Sequence, residues 1–407
     1  MKPWRLLVVS EPGKDGVFVF VRSLIRHLYA NHPEITVDLA YSSCRSGPGL
    51  PALLHDVKGR GGEILDLRVD NCPGPMDFLA LSGILGMVRR NGYGLIHAHS
   101  SKAGALVRMC ALLPFFPPTI YTPHAYYGMA RAGGGKEGLF NGVESILGRV
   151  GMTHNVSDDE RDFARDALRI PVDRLIVVRN GIDTSFYTPA HQDRRAKCRR
   201  ALNIPETGKL LITVGRDSYQ KNYGPLYTTL NAALPGDDWF FAHVGAGSTE
   251  LRQSLSPQAA RKCFTFSYLD DVRPVFHAGD GFILTSRYEG LSLSLLYALS
   301  CGLPLILTDA PGFRFLKPLG FQGIRWLPDP DGSDIGKHIG TAVTDWARQS
   351  FNQAARQRDL TINHFDELIQ LEKLVGLYEN CLAKRNVDTL RTEEDVFPER
   401  NIERSAS

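Results

Sequence analysis

The chain has 407 residues, 43% apolar and 22% charged, with a formal net charge of +3. That length exceeds one hydrophobic core and predicts two domains, and the composition excludes a disordered or fibrous chain. The small net charge gives no reason to expect a nucleic-acid partner; residues 1–150 carry 16 Lys/Arg against 11 Asp/Glu, which a scattered solvated face explains but which leaves room for peripheral contact with an anionic membrane.

The segment RLLVVS (5–10) reads as a buried strand, and VFVFVRSLIRHLYAN (17–31) as a helix with Arg22, Arg26 and His27 off its apolar face. TVDLAYS, GGEILDLRV, GLIHAHS, TIYTPHA, THNVS and RLIVVRNGI supply further strands, with helical patterns between most of them. Such alternation predicts a parallel sheet covered on both faces. Residues 184–207 are polar, basic and proline-bearing, and read as a linker with one short helix. A second series follows: KLLITVGR, DWFFAHVGAG, CFTFSYL, DGFILTS, PLILTD and GIRWLP. The expected architecture is α/β, with two Rossmann-like parallel-sheet domains facing a cleft. Residues 1–185 form the first domain and 186–350 the second. Helical residues 351–385 follow, and the charged residues 386–407 read as a disordered tail.

Seven cysteines, an odd number without CxxC spacing, suggest reduced cytosolic thiols and neither a disulfide frame nor a zinc site. The opening MKPWRLLVVSEPGKDG has too short an apolar run for a signal peptide. Residues 105–121 are broken by Arg108 and three prolines and cannot span a bilayer. A cytoplasmic protein is expected.

The candidate site residues fall where strands give way to helices. Gly13 and Gly16 occupy the first such turn, where glycine lets backbone approach a ligand and a helix start favours an anion; a plain tight turn explains them equally well. Arg216 ends a strand and Lys221 follows, a pair suited to a diphosphate, although a solvated basic loop would look the same. Gly245 and Gly247 follow the next strand. In TSRYEGLSLSLLYALSCG, Glu289 precedes a helix start whose Gly290, Leu291 and Ser292 amides make an anion site. A carboxylate beside them suits sugar hydroxyls. Gly302 then stops the helix. His97, His99 and His124 end strands in the first half; His97 reads as structural, while His99 and His124 sit where a sugar or leaving group could be contacted. Asp329–Asp331 reads as a turn, and no metal motif, Walker loop, GxGxxG or GxSxG occurs.

Taken together, VVRNGID, VGRDSYQKN, LDDV, GDGFILTSRYEGLSLSLLYALSCGLPLILTDAPG, IHAHSSKAG and YTPHAYYG make the chain resemble the family-4 glycosyltransferases of GT-B fold, from Leu6 to about Lys384. The resemblance implies retaining transfer of a sugar from a nucleotide-sugar co-substrate, without cofactor or essential metal, in surface polysaccharide or glycolipid synthesis. It implies an acceptor that is a sugar, a lipid-linked sugar or another small molecule, and leaves room for peripheral contact with the inner membrane face. Arg216 and Lys221 would bind the donor diphosphate, Glu289 the transferred sugar, and Gly290 to Ser292 a phosphate. His124 would lie near the donor sugar and Gly16 between donor and acceptor. The last helices would cross back to the first domain. Three departures stand out: Tyr297 replaces the second acid of the family's E-x7-E motif, which usually holds ribose; Ser267 stands where glycine is common; and APGFRFLKPLG lacks the usual glutamate. Two other readings compete: a non-catalytic nucleotide-sugar-binding protein and a nucleotide-sugar epimerase.

Overall fold

The computed structural model describes residues 3–70, 72–130, 133, 135–232, 238–348 and 354–383. These divide into two compact units, one holding residues up to Asn180 and again from Leu368, the other Gly181–Glu367.

The first unit is a parallel sheet of β1 (Trp4–Ser10), β2 (Ile35–Tyr41), β3 (Ile64–Asp66), β4 (Leu95–His99), β5 (Thr119–Thr122), β6 (Met152–Asn155) and β7 (Leu175–Val177). Their order is β3-β2-β1-β4-β5-β6-β7. Leu6 to Val9 are all fully buried, since helices cover both faces and the strand must be apolar at every position. The helix Asp15–Asn31 lays Phe18, Val21, Leu24, Ile25 and Leu28 on one face. Leu371, Leu374, Val375, Leu377 and Tyr378, from the helix Glu367–Ala383, complete this unit's core.

The second unit holds β8 (Lys209–Val214), β9 (Trp239–Val244), β10 (Cys263–Phe266), β11 (Gly281–Leu284), β12 (Leu305–Thr308) and β13 (Ile324–Leu327), in the order β10-β9-β8-β11-β12-β13. All these pairings are parallel. Strand order reverses between β1 and β4 in one unit and between β8 and β11 in the other. Ligands of open α/β sheets bind at the carboxyl ends beside such a reversal.

The chain leaves the first unit at Asn180, not at residue 185 as its composition suggested. The cause is a backbone exchange, Ile182 N to Phe365 O at 2.9 Å and Glu367 N to Ile182 O at 2.9 Å, which fixes residues 181–184 to the second unit. The expected linker is packed structure. Arg199, on the helix Gln192–Ala201, is fully buried and donates to Asp280 and to the carbonyls of Pro205, Gly208 and Ala278. Residues 351–385, read as one returning piece, divide as well. The helix Ala354–Phe365 stays with the second unit, where Gly302 (φ +70°) ends its helix so close that a Cβ would lie 3.0 Å from Ala354 Cα. Residues 386–407, expected to be disordered, lie outside the described residues.

Candidate active site

In the second unit the loops after β8 and β9 lie backbone against backbone. Gly215 N donates to Val244 O at 2.8 Å and Asp217 N to Ala246 O at 2.7 Å. A Cβ on Gly245 would sit 2.1 Å from Gly215 O, so glycine is required there by packing. Beneath, His243 Nε2 donates to Gly215 O at 2.8 Å while Nδ1 accepts from Tyr227 OH at 3.0 Å. Burial pushes this imidazole down to about 4, so it is neutral near pH 7 and its tautomer is fixed by its two partners. Arg216 is exposed at the rim of these loops.

Lys221 and Glu289 meet directly, Nζ to Oε1 at 2.8 Å. Glu289 is only 5% exposed. Ser286 Oγ donates to the same oxygen at 2.7 Å, and Gln220 Nε2 donates to the other at 3.1 Å. The Glu289 backbone is held from behind: its N–H donates to Pro311 O at 2.9 Å, and Gly312 (φ +87°) approaches so closely that a Cβ would lie 2.1 Å from Glu289 O. Gly290, Leu291 and Ser292 follow, buried, into the helix Leu293–Ser300. Ser292 makes no side-chain cap on that helix. The result is a carboxylate, an ammonium and a helix start converging at the carboxyl end of β11, where an anionic ligand with hydroxyl groups can be held.

Arg287 carries no role in the sequence reading, yet it fastens this loop. It donates to Asp331 Oδ1 at 2.6 Å and to Tyr219 O at 2.7 Å, and lies 4.2 Å over the Tyr219 ring. Asp329–Asp331 is a turn, with Asp331 N donating to Asp329 Oδ1 at 2.9 Å. Tyr297 stacks on Tyr187, centroids 3.9 Å apart and planes 9° apart, with Phe276 edge-on at 5.8 Å. The aromatic ring that stands in place of the second acid is therefore packed against other rings.

Gly16 and His124 belong to the first unit, and Arg216, Lys221, Gly245, Glu289, Gly290, Leu291, Ser292 and Tyr297 to the second. Gly16 is exposed in the first turn of its helix, with nothing within 4 Å of where a Cβ would stand. His124 (φ +56°) and Ala125 (φ +99°) both adopt left-handed backbone, uncommon without glycine. Buried Glu160 holds them, accepting Ala125 N at 2.6 Å on one oxygen and Val156 N at 2.7 Å on the other. Burial raises this carboxyl to about 7. His99 Nδ1 meets His124 Nε2 at 3.1 Å, and Phe20 lies 5.0 Å from the His124 ring. Behind them a directed chain runs through the core: Tyr378 OH donates to His97 Nδ1 (2.7 Å), His97 Nε2 to Thr122 Oγ1 (2.8 Å), Thr122 to His154 Nδ1 (2.7 Å), and His154 Nε2 to Val178 O (2.8 Å). The terminal carbonyl can only accept, which fixes every donor before it. Burial lowers all four imidazoles. At the β1–β4 reversal, Glu11 accepts from Ser100 Oγ and from Arg45 NH1, the latter at 2.7 Å.

Residues 14–186 match the family model described as Glycosyltransferase Family 4, and residues 208–345 the one described as Glycosyl transferases group 1. The UDP-Gal:alpha-D-GlcNAc-diphosphoundecaprenol alpha-1,3-galactosyltransferase of Escherichia coli is 24% identical over 325 residues, covering 76% of this chain and 81% of its own. Among solved structures, sucrose-phosphate synthase from Thermosynechococcus elongatus superposes with a TM-score of 0.74 at 17% identity, over 93% of this chain and 99% of its own. Anabaena HepE, crystallised with UDP and glucose, gives 0.72 at 17% identity, over 93% and 100%.

Proposed function

This chain belongs to the GT-B glycosyltransferases of family 4 and group 1, and from that premise we propose that it moves a sugar from a nucleotide-sugar donor to an acceptor with retention of anomeric configuration. The carrying observation is the buried Lys221–Glu289 pair beside a helix start at the β8–β11 reversal. A departing nucleoside diphosphate gains negative charge, and cations already aimed at it lower the barrier. In this reading Lys221 and Arg216 receive the diphosphate, Glu289 accepts hydrogen bonds from sugar hydroxyls, and the Gly290–Ser292 amides face a phosphate. Gly245 lines the donor's path, and in the first unit Gly16 and neutral His124 stand beyond strand ends, suited to sugar hydroxyls. The acceptor proton passes to the leaving phosphate. Tyr297 contributes an edge beside the ribose in place of a carboxylate. No cofactor is required.

The Escherichia coli relative is named for UDP-Gal as donor and a diphosphoundecaprenol-linked sugar as acceptor, which supports a uridine donor and a lipid-linked acceptor here, in surface polysaccharide or glycolipid synthesis. An exposed apolar surface bordered by cations supports the same reading. The helices Met76–Asn91, Ser101–Cys110 and Gly135–Leu147 pack side by side. On and beside them Phe78, Leu79, Leu112, Phe115, Leu139 and Ile146 are exposed. Arg89, Arg90, Lys136 and Arg149 are exposed there too, with Arg89 lying 5.4 Å from the Phe115 ring. Apolar side chains ringed by cations fit an anionic bilayer surface. Among the described residues, no helix is long and apolar enough to cross a membrane, so contact would be peripheral.

The test is incubation of the chain with a panel of nucleotide-sugars and a diphospholipid-linked sugar acceptor, reading the product anomer by NMR. Transfer with retained configuration is expected, UDP-hexoses giving the highest rate. Donor binding without transfer would leave a non-catalytic binding protein. Interconversion of free donor without acceptor would leave an epimerase. For the membrane contact, co-sedimentation with phosphatidylglycerol vesicles should fall on Phe78→Asp/Ile146→Asp substitution. Equal sedimentation of the two chains would remove that surface from the reading.

A further inference from the structure

His27, His32 and Glu372 converge at the amino-terminal edge of the first unit's sheet, away from the strand ends that carry the candidate active-site residues. His27 lies on the helix Asp15–Asn31, and His32 is that helix's C-cap, its N–H donating to Leu28 O at 2.8 Å. Glu372 lies on the returning helix Glu367–Ala383. Both Nε2 atoms point at one carboxylate oxygen, 2.9 Å from His27 and 3.0 Å from His32. One ligand-type atom from each of the three residues lies within 4.8 Å of the other two.

Hydrogen bonding satisfies only part of this group. His32 takes Glu372 in good geometry. His27 Nε2 does not, although the residue is only 8% exposed, and it is left buried without a hydrogen-bond partner. A buried polar nitrogen in that condition is unfavourable. The remaining nitrogens are already supported: His32 Nδ1 faces Glu34 Oε1 at 3.5 Å, and His27 Nδ1 faces the Asn31 amide at 3.1 Å. Outer partners of this kind orient metal-binding imidazoles and set their tautomer. The backbone is fixed too, by Ile35 N to His32 O and Trp4 N to Glu34 O, each 3.0 Å.

We propose that His27 Nε2, His32 Nε2 and the Glu372 carboxylate bind a divalent transition-metal ion of the zinc class, which clamps the returning helix Glu367–Ala383 to the helix Asp15–Asn31. Two imidazoles and one carboxylate suit zinc, cobalt or nickel. Tetrahedral zinc bonds of about 2.0–2.1 Å set neighbouring ligand atoms about 3.3 Å apart, so each imidazole needs to open from the carboxylate oxygen by only a few tenths of an ångström. His32 and Glu372 are partly exposed, giving the ion an entry path and water the fourth position. Asn31 Nδ2 now donates to the His27 carbonyl at 3.2 Å and faces Nδ1; a metal on Nε2 needs the Nδ1–H tautomer, so uptake moves the ring proton to Nδ1 and turns the Asn31 amide off the ring while its bond to the carbonyl stays. The ion is structural and takes no part in sugar transfer.

The test uses the full chain, stripped with chelator and titrated with Co²⁺ and then Zn²⁺. The expected result is one-to-one uptake, a visible absorption band of four-coordinate cobalt that zinc bleaches, and a rise in the thermal midpoint of the first unit. Glu34→Ala should weaken affinity by roughly 10–100-fold, as loss of an outer partner does. His32→Ala and Glu372→Ala, both at partly exposed positions, should abolish uptake. No saturable uptake by the unsubstituted chain, or uptake unchanged in His32→Ala and Glu372→Ala, overturns the proposal and leaves a hydrogen-bonded cluster. Neither result bears on transferase activity, which is assayed separately.

Discussion

Lys221 shares one oxygen of Glu289 with Ser286, so its removal has two separable effects. Lys221→Ala is expected to lower turnover at least about tenfold, because a charge-assisted contact contributes roughly 1.5–3 kcal/mol. It should also lower stability, since Glu289 stays buried with only neutral donors. Lys221→Ala/Glu289→Gln should recover much of that stability and none of the turnover; a double-mutant cycle with urea melts and steady-state kinetics checks both. Unchanged turnover in Lys221→Ala would end the diphosphate role. Tyr297→Glu is the companion experiment. Stacking with Tyr187 means that the change forfeits an aromatic pair of about 0.5–1.5 kcal/mol as well as buried area. Lower thermal stability is therefore expected together with tighter UDP binding by calorimetry, and loss of stability without tighter binding would make Tyr297 a packing residue only. Glu289 was legible in the sequence because an acid before a helix start has a chemical meaning. Gln220 was not, because it reaches Glu289 from another loop, nor was Arg287, whose partners Asp331 and Tyr219 lie far off in sequence. The need for Gly245 was legible, but its cause, the approach of Gly215 O, was not.

The ends of β4, β5 and β6 behave as one element: four neutral imidazoles around Thr122 and Phe20. Burial holds each below its unfolded value near 6.5, His154 at about 4. Groups of this sign contribute stability that is intact above pH 6.5 and lost as pH falls toward 4. Glu160, raised to about 7 by burial, has the opposite sign and offsets part of the loss. The first unit should lose about 2–3 kcal/mol between pH 6.5 and 5.5, measurable by denaturant melts at fixed salt; a flat profile would mean that these rings titrate normally. Glu160→Gln tests the loop itself. A glutamine can accept only one of the two backbone N–H groups that Glu160 now takes, so the left-handed His124–Ala125 turn should loosen. Turnover should fall with donor affinity little changed. The strands of both sheets were legible because doubly covered strands must be apolar throughout. The histidine layer was half legible: His97, His99 and His124 stood at strand ends, whereas His154 sat in a strand with no motif around it.

For the whole chain, the amphipathic pattern of the last helices was visible, and their destinations were not, because periodicity records that a face is buried and not against what. The helix Ala354–Phe365 stays with the second unit, while Glu367–Ala383 supplies Leu371, Leu374, Val375, Leu377 and Tyr378 to the first. Truncation after Asp366 should therefore leave the second unit's cooperative transition in place and abolish that of the first, as hydrogen exchange resolved by peptide would reveal. Folding of both units in the truncated chain would contradict this assignment. The interrupted unit also sets an order of events at the ribosome. Synthesis runs from the amino end, so the unit begun first waits, with one wall of its interior uncovered, while the whole of the other is made. Only the helix Glu367–Ala383, made after the second unit, can seal it. The nascent polypeptide thus exposes the first unit's segment to chaperones and proteases for longer than the second's, and termination before that helix spoils a unit whose other parts are already translated.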